Sequence, residues 1–233
     1  MIKYPTFSTP PNPKETKWGF TWLGFNLIIL PVGLLTINAM LPRPLSDSMV
    51  NVVFYIINAA VILFIFRQYL LAAWKTAMER LNSVIWRAIL GYLGYQALTS
   101  IVTLGITLFY PDFANVNDQN IFAMLETDTV PLALGTVFLV PIAEETLYRG
   151  LIFRNLAQKN MALAFAVSMV AFAAIHVMGY VGTFSPLVLA LCFVQYLPAG
   201  FCLAWCYRQT GTIVTPILMH TLVNAISIYY ATR

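Results

Sequence analysis

Residues 131–153 read PLALGTVFLVPIAEETLYRGLIF, an apolar run interrupted by Glu144, Glu145 and Arg149. A bilayer core of about 30 Å is crossed by a helix of roughly 20 residues, so this run is long enough to span a membrane. Because lipid offers no hydrogen bonds to a backbone, such a run is expected to be helical. An ionisable side chain within a span costs about 2.5–3.5 kcal/mol on insertion scales, so these three residues are candidates for function.

The rest of the chain has the same character. Of its 233 residues, 60% are hydrophobic and 9% are charged, whereas about a quarter of a typical soluble domain is charged. This composition excludes a soluble globular protein, a disordered tail, a coiled coil and a nucleic-acid binder. The cysteines Cys192, Cys202 and Cys206 share one apolar run and form neither a disulfide framework nor a metal-binding motif. We predict an all-α fold, a polytopic transmembrane helical bundle.

Seven runs are apolar and long enough to be spans, and the short fifth run leaves open whether the count is odd or even. The runs are 18–41, 49–69, 84–108, 131–153, 161–178, 186–207 and 213–231. Residues 68–81 mix basic and apolar side chains and are predicted to extend the second helix along the membrane surface. The predicted organisation is a cytoplasmic tail (1–17), N-terminal spans (18–110), an extramembrane segment (110–130) and catalytic spans (131–233) of the same single domain.

The basic residues predict the orientation of the bundle. If the N-terminus is cytoplasmic, 11 of the 13 lysines and arginines fall on that side, and only Arg43 and Arg233 fall on the other. An excess of lysine and arginine marks cytoplasmic loops. The eleven are Lys3, Lys14, Lys17, Arg67, Lys75, Arg80, Arg87, Arg149, Arg154, Lys159 and Arg208. We therefore predict an integral membrane protein with a cytoplasmic N-terminus and an outer C-terminus.

Helical spacing sorts the polar residues within the spans into pairs. Glu145 and Arg149 are four residues apart on one face, in the order that favours contact. Glu144 is rotated by about 100° from Glu145 and has no cation on its own helix. Phe172 and His176, and likewise His220 and Asn224, are also four residues apart. Three helices therefore present polar stripes to a shared interior.

These side chains are suited to amide hydrolysis. A glutamate and a histidine around one water molecule can activate it as a nucleophile. A histidine and an asparagine opposite can donate hydrogen bonds to a developing oxyanion. If the helices are straight, these residues do not all lie at the same depth in the membrane, because His176 lies about 22 Å from the inner end of its span. Either that helix starts later than Met161 or it tilts.

The three motifs together resemble a known family. Residues 144–150 fit EExxxR, residues 172–176 fit FxxxH, and residues 220–224 fit HxxxN, on separate spans and in this order. This combination resembles the CPBP intramembrane proteases, also called the Abi or CAAX-protease family. The family includes the eukaryotic endoprotease that trims prenylated proteins, and bacterial members linked to bacteriocin processing or immunity. The resemblance covers roughly residues 131–224.

The resemblance implies a role for each motif residue. Glu144 would act with His176 to activate water, and His220 and Asn224 would form the oxyanion pocket. Glu145 and Arg149 would hold the helix geometry or contact substrate, with Phe172 as a further supporting residue. The resemblance to glutamate-type members implies no metal and no other cofactor. Spacing alone leaves zinc open, because two histidines and a glutamate also suit a catalytic zinc site.

The sequence therefore predicts an intramembrane endopeptidase that cleaves a membrane-associated peptide or protein near the cytoplasmic face. The predicted partners are that substrate and the lipid bilayer, without nucleic acid, and the short chain resembles bacterial plasma-membrane members. One alternative is a non-catalytic immunity or scaffold protein of the same fold. Another is a proton-coupled transporter, which is disfavoured because the polar residues have no counterpart in the first three spans.

Overall fold

The protein is a bundle of long helices. A computed structural model describes residues 6–233 and is 84% helical, and no strand occurs among these residues. The described chain contains eight helices: α1 (Pro13–Met40), α2 (Asp47–Ile65), α3 (Arg67–Glu79), α4 (Leu81–Phe109), α5 (Val116–Ala157), α6 (Met161–Met178), α7 (Pro186–Thr210) and α8 (Val214–Ala231). All except α3 are long and apolar enough to cross a membrane. The predicted fold class is confirmed.

The first helix begins earlier than predicted. The side chain of Asn12 accepts hydrogen bonds from the backbone amides of Lys14 and Glu15, and the Glu15 carboxylate accepts one from the Asn12 amide. This capping box starts α1 at Pro13, within the stretch predicted as a tail (1–17). The first five residues of that tail, with Lys3, lie outside the described residues.

Residues 67–79 form a helix of their own, which corrects the prediction that they extend the second helix. The chain leaves helical geometry at Phe66, with φ −98° and ψ 19°. The other carboxylate oxygen of Glu15 then accepts from the amides of Gln68 and Tyr69, which satisfies two unpaired donors at the start of α3. Tyr69, Ala73 and Ala77 form its buried stripe. Helix α3 therefore packs on the bundle through one face.

Helix α5 starts at Val116, inside the segment predicted to be extramembrane. Asn115 caps this start and donates to the side chain of Gln195, the tenth residue of α7. At 1.5 Å per residue, that contact lies more than 10 Å along α7 from its first residue. The start of α5 therefore lies within the bundle. The helix bends at Asp128, whose carboxylate accepts hydrogen bonds from Ser46 and Ser48 just before and within α2.

One end of the bundle is closed by the N-terminal segment. Helix ends and loops meet there, and we call it the basic end because they carry Arg67, Arg80, Arg154, Lys159 and Arg208. Arg80 donates to the carbonyl oxygens of Thr6 and Thr210 at 3.0 and 2.9 Å, and the Ser8 amide donates to that of Gly211 at 2.7 Å. Gly211 has a φ of +72°, a conformation that glycine adopts without strain. The opposite end, with Asp47 and Asp112 in or beside its loops, we call the acidic end.

Candidate active site

The Glu144–Glu145 pair lies between two stretches of π-helix. Residues Gly135–Leu139 and Thr146–Phe153 have π geometry, and Val140–Glu145 between them is α-helical. Sequence analysis predicted one regular helix here. A π-turn inserts an extra residue into the helical repeat and is frequent at functional sites. Such a turn changes which residues share a face of the helix. The directions in which the side chains of Glu144 and Arg149 point therefore depend on these turns as well as on their spacing along the sequence.

Glu145 and Arg149 form a fully buried ion pair, as their spacing predicted. Arg149 Nη1 lies 3.0 Å from Glu145 Oε1, and both side chains have no exposed surface. Arg149 Nη2 donates to the carbonyl oxygen of Gly200 on α7 at 3.0 Å, and the guanidinium lies 4.4 Å from the ring centre of Phe172 on α6. Arg149 is one of the eleven basic residues counted on the cytoplasmic side. Because it is buried, it does not add to the charge of a loop.

Gly200 allows α7 to approach α6 closely. A Cβ atom at position 200 would lie 2.9 Å from Cα of Met169 and 3.0 Å from its carbonyl oxygen. Both are backbone atoms, which cannot move aside without shifting α6. Small residues commonly permit such close contact between membrane helices. The absence of a side chain here holds the carbonyl oxygen of Gly200 within reach of Arg149.

His220 joins the same ion pair from α8. Its Nδ1 atom lies 2.9 Å from Glu145 Oε1, the oxygen that also binds Arg149. The edge of its ring packs against Phe172, with ring centres 5.7 Å apart and planes inclined by 73°. One carboxylate therefore links α5 to α8, while its arginine partner reaches α6 and α7. The three helices that carry the motifs, together with α7, meet at this pair.

His176 is held by the backbone of its own helix and by an aromatic ring. Its Nδ1 atom lies 2.8 Å from the carbonyl oxygen of Phe172. A carbonyl oxygen only accepts, so Nδ1 carries the proton and the neutral ring has its lone pair on Nε2. The ring stacks on Tyr196 of α7, with centres 4.2 Å apart. His176 is therefore oriented with Nε2 as the acceptor.

Asn224 lies one turn after His220 and is also anchored. Its side-chain NH2 group donates to the carbonyl oxygen of Thr136 at 2.7 Å. Thr136 belongs to the first π stretch, where the helical hydrogen-bond pattern is altered. An asparagine NH2 group has two donors, so one hydrogen remains for another acceptor.

The four residues assigned to chemistry in the sequence analysis line one cavity. This cavity has a volume of about 250 Å³, and its wall includes Glu144, His176, His220 and Asn224. It has room for several water molecules. Glu144 Oε2 is buried without a hydrogen-bond partner among residues 6–233. A buried carboxylate oxygen of this kind needs a partner from outside the described chain.

The position of α6 partly explains the depth of His176, which a straight helix places too far from the inner end of its span. Asn160 caps this helix and α6 starts at Met161, so a later start is ruled out. His176 nevertheless lines the same cavity as Glu144. The exposed residues of the wall, Asp118, Phe122 and Ser227, lie in the first part of α5 and the last part of α8. The cavity therefore opens towards the acidic end.

Several cavity residues were missed by sequence analysis, because they lie outside the three motifs. Tyr196 both stacks on His176 and donates to the Asp118 carboxylate at 2.6 Å, while Asn117 donates to the Tyr196 hydroxyl at 2.9 Å. Tyr55 of α2 also lines the wall. The polar run Asn115–Asp118 was a visible signal for a helix start. It was assigned to a loop instead.

The site contains side chains of the types that bind zinc. Two imidazoles and a carboxylate are suitable ligand types, and both histidines hold Nδ1 against an oxygen atom, which leaves Nε2 to bind a metal. However, no group of three His, Cys, Asp or Glu side chains in the part of the chain that the structure describes is arranged to hold a metal ion. In this arrangement Glu144, His176 and His220 do not form a three-ligand metal site.

The motif-bearing helices match a known family. Residues 126–226 fit the family model described as Type II CAAX prenyl endopeptidase Rce1-like. The resemblance to the CPBP, or CAAX-protease, family is confirmed. The match contains EExxxR, FxxxH and HxxxN in full, whereas α1–α4 lie outside it. Together with the seven candidate spans, this match supports a CAAX-type intramembrane endopeptidase in general terms. No curated protein and no solved structure matches the chain.

Proposed function

We propose that this CAAX-type protease hydrolyses a peptide bond by water that Glu144 activates. The observation that carries the proposal is the shared cavity, in which Glu144, with one buried unpartnered oxygen, meets His176, His220 and Asn224. The partner that Glu144 lacks is supplied by the attacking water. Glu144 takes the proton of that water and returns it to the leaving amine when the C–N bond breaks, and His176 Nε2 accepts a hydrogen bond that orients the water.

His220 and Asn224 stabilise the oxyanion of the tetrahedral intermediate. In this role both ring nitrogens of His220 donate, Nδ1–H to Glu145 and Nε2–H to the oxyanion. The second amide hydrogen of Asn224 is the other donor. Donors held in place before the reaction need no reorganisation as charge develops, and each contributes on the order of 10²–10³ in rate. The buried contact between Glu145 and His220 holds α5 and α8 together for this role.

The proposed mechanism is metal-free, and a chelator tests it. Purified protein would be incubated with a library of membrane-tethered peptides, with and without a chelator. We expect cleavage at equal rates in both, because Glu144 and His176 activate water directly. Cleavage that stops with the chelator and returns with zinc would overturn this mechanism in favour of a metal-bound water.

The proposed substrate is a membrane-associated peptide or protein, and the proposed location is a bacterial plasma membrane with the N-terminus in the cytoplasm. The sequence predicts cleavage near the cytoplasmic face. The cavity favours another route, because its exposed wall residues lie towards the acidic end while the N-terminal segment closes the basic end. We therefore propose that substrate approaches from the acidic end.

The orientation of the bundle can be tested with single cysteines in intact bacterial cells. We expect an Asp112→Cys variant to react with a membrane-impermeant maleimide and a Lys159→Cys variant to react only after lysis, because basic loops stay in the cytoplasm. Both positions are exposed, and the three native cysteines are buried. The reverse labelling pattern would show that the acidic end is cytoplasmic.

A further inference from the structure

A second cavity reaches Glu144 from the side of α1. It has a volume of about 550 Å³ and runs between α1 and α2 on one side and α5 and α6 on the other. Glu144 lines this cavity as well as the smaller one. Its volume lies within the range of ligand sites. We call it the asparagine groove, after the five asparagines in its wall: Asn26, Asn51, Asn58, Asn117 and Asn120.

Asn26 is the most informative of these residues. It lies in a π-helical stretch of α1, is 8% exposed, and its Oδ1 atom has no hydrogen-bond partner among the described residues. A buried amide without a partner costs on the order of 1–3 kcal/mol. Asparagines often join membrane helices through hydrogen bonds, but the Oδ1 atom of Asn26 makes no such bond. A ligand in the groove would supply the partner.

The asparagines of α2 form a stripe along the groove. Asn51 and Asn58 are seven residues apart, so they lie on one face about 10 Å apart. Asn58 Oδ1 accepts from the indole of Trp22 at 2.9 Å, which leaves its NH2 group to donate. Three residues of an extended polypeptide cover about 10 Å. Two side-chain amides at this spacing can both reach the backbone of one extended segment about three residues long.

The rest of the wall restricts the ligand further. Leu35 and Phe54 supply apolar surface, and the wall contains no lysine or arginine. Its carboxylates are Asp47 at the acidic end and Glu144 at the other extreme. Both carboxylates would repel an anionic ligand, and a cationic group would find no carboxylate along the groove between them. A lipid acyl chain would leave the amides without partners, at the cost of buried unpaired polar groups.

We propose that the asparagine groove binds an uncharged, extended segment of the polypeptide substrate and leads it from the acidic end to Glu144. This proposal rests on the proposed function. Side-chain amides hydrogen-bond the substrate backbone, and apolar residues between them receive its side chains. The wall formed by α1 and α2 lies outside the family match at residues 126–226. Substrate selection at this wall is therefore a property of this chain's own N-terminal spans.

Binding can be measured without cleavage through the reaction of single cysteines with N-ethylmaleimide. Leu35 lines the groove, whereas Ile37 on the same helix does not, and they are 56% and 60% exposed. The probe is an acyl-anchored, uncharged peptide in phosphatidylcholine vesicles, and its acyl anchor alone is the second probe. We expect the peptide to slow labelling of the Leu35→Cys variant several-fold and to leave the Ile37→Cys variant unchanged. Protection by the anchor alone, or equal effects on both variants, would overturn the proposal.

An Asn26→Leu variant gives a kinetic test. We expect KM for a cleaved peptide to rise about three- to tenfold with kcat unchanged, because one backbone hydrogen bond is lost. The melting temperature should stay equal or rise, since an unpaired buried amide has been removed. A lower melting temperature with unchanged KM would assign Asn26 a purely structural role and overturn the proposal. If no peptide is cleaved at all, the proposed function fails, while the maleimide experiment still reports on the groove.

Discussion

Replacing Glu144 by glutamine is expected to lower kcat for a membrane-tethered peptide by about 10²–10⁴-fold, the usual contribution of a general base. The amide keeps the size of the side chain but cannot accept a proton from water. The cavity and the neighbouring ion pair should remain, because Glu145 rather than Glu144 binds Arg149 and His220. Single-turnover cleavage by the purified protein measures the effect.

The matched control is Glu126→Gln. This residue lies on the same helix and is exposed, and it lines neither cavity. The same chemical change there should leave kcat within about twofold, as expected for an exposed site away from such features. A Glu144→Gln protein that keeps its full rate would exclude Glu144 as the base. A biological effect of the chain that persists without cleavage would favour the non-catalytic alternative.

An Arg149→Leu substitution is expected to reduce the free energy of unfolding by about 3–5 kcal/mol, as does removal of one partner from a buried ion pair. Glu145 would keep only His220 as a partner in a site with no exposed surface. The carbonyl oxygen of Gly200 would lose its donor, and Phe172 would lose the guanidinium over its ring. Denaturant unfolding in detergent micelles measures the loss.

Arg43→Leu is the control for this prediction, because Arg43 is exposed in the loop between α1 and α2. Its replacement should change stability by no more than about 0.5 kcal/mol. Adding Glu145→Gln to Arg149→Leu should recover part of the loss, because no unpaired carboxylate remains while His220 still has an acceptor. If Arg149→Leu were as stable as the control, the ion pair would not hold the four helices together.

The spans were predictable because lipid imposes a simple rule on length and polarity. The run 161–178 coincides with α6, and the other predicted spans differ from the observed helices mainly at their ends. The predicted starts of helices were wrong where a polar side chain, and not the length of the apolar run, determines where the helix begins. Asn12 and Asn115 start helices inside stretches assigned to a tail and a loop. Such caps depend on the hydrogen bonds of a single side chain, which hydropathy does not report.

The site was partly predictable for a related reason. Spacing of four residues on a helix placed Glu145 next to Arg149, and rarity of ionisable residues in spans singled out His176 and His220. Tyr196 was not found, because an aromatic residue in a span is ordinarily packing or an interfacial anchor. Its contact with His176 joins residues 20 positions apart on different helices. No local pattern specifies such a contact.

The amino-acid order alone determined that this is a helical membrane protein and which few polar residues its spans carry, because burial of backbone and charge in lipid is costly wherever it occurs. The tertiary structure decided which of those residues meet. One carboxylate oxygen of Glu145 binds both Arg149 and His220, and Glu144 lines both the small cavity and the asparagine groove. These relations depend on how helices cross and on π-turns that redirect side chains. They come from packing between distant segments, which the spacing within any one segment does not contain.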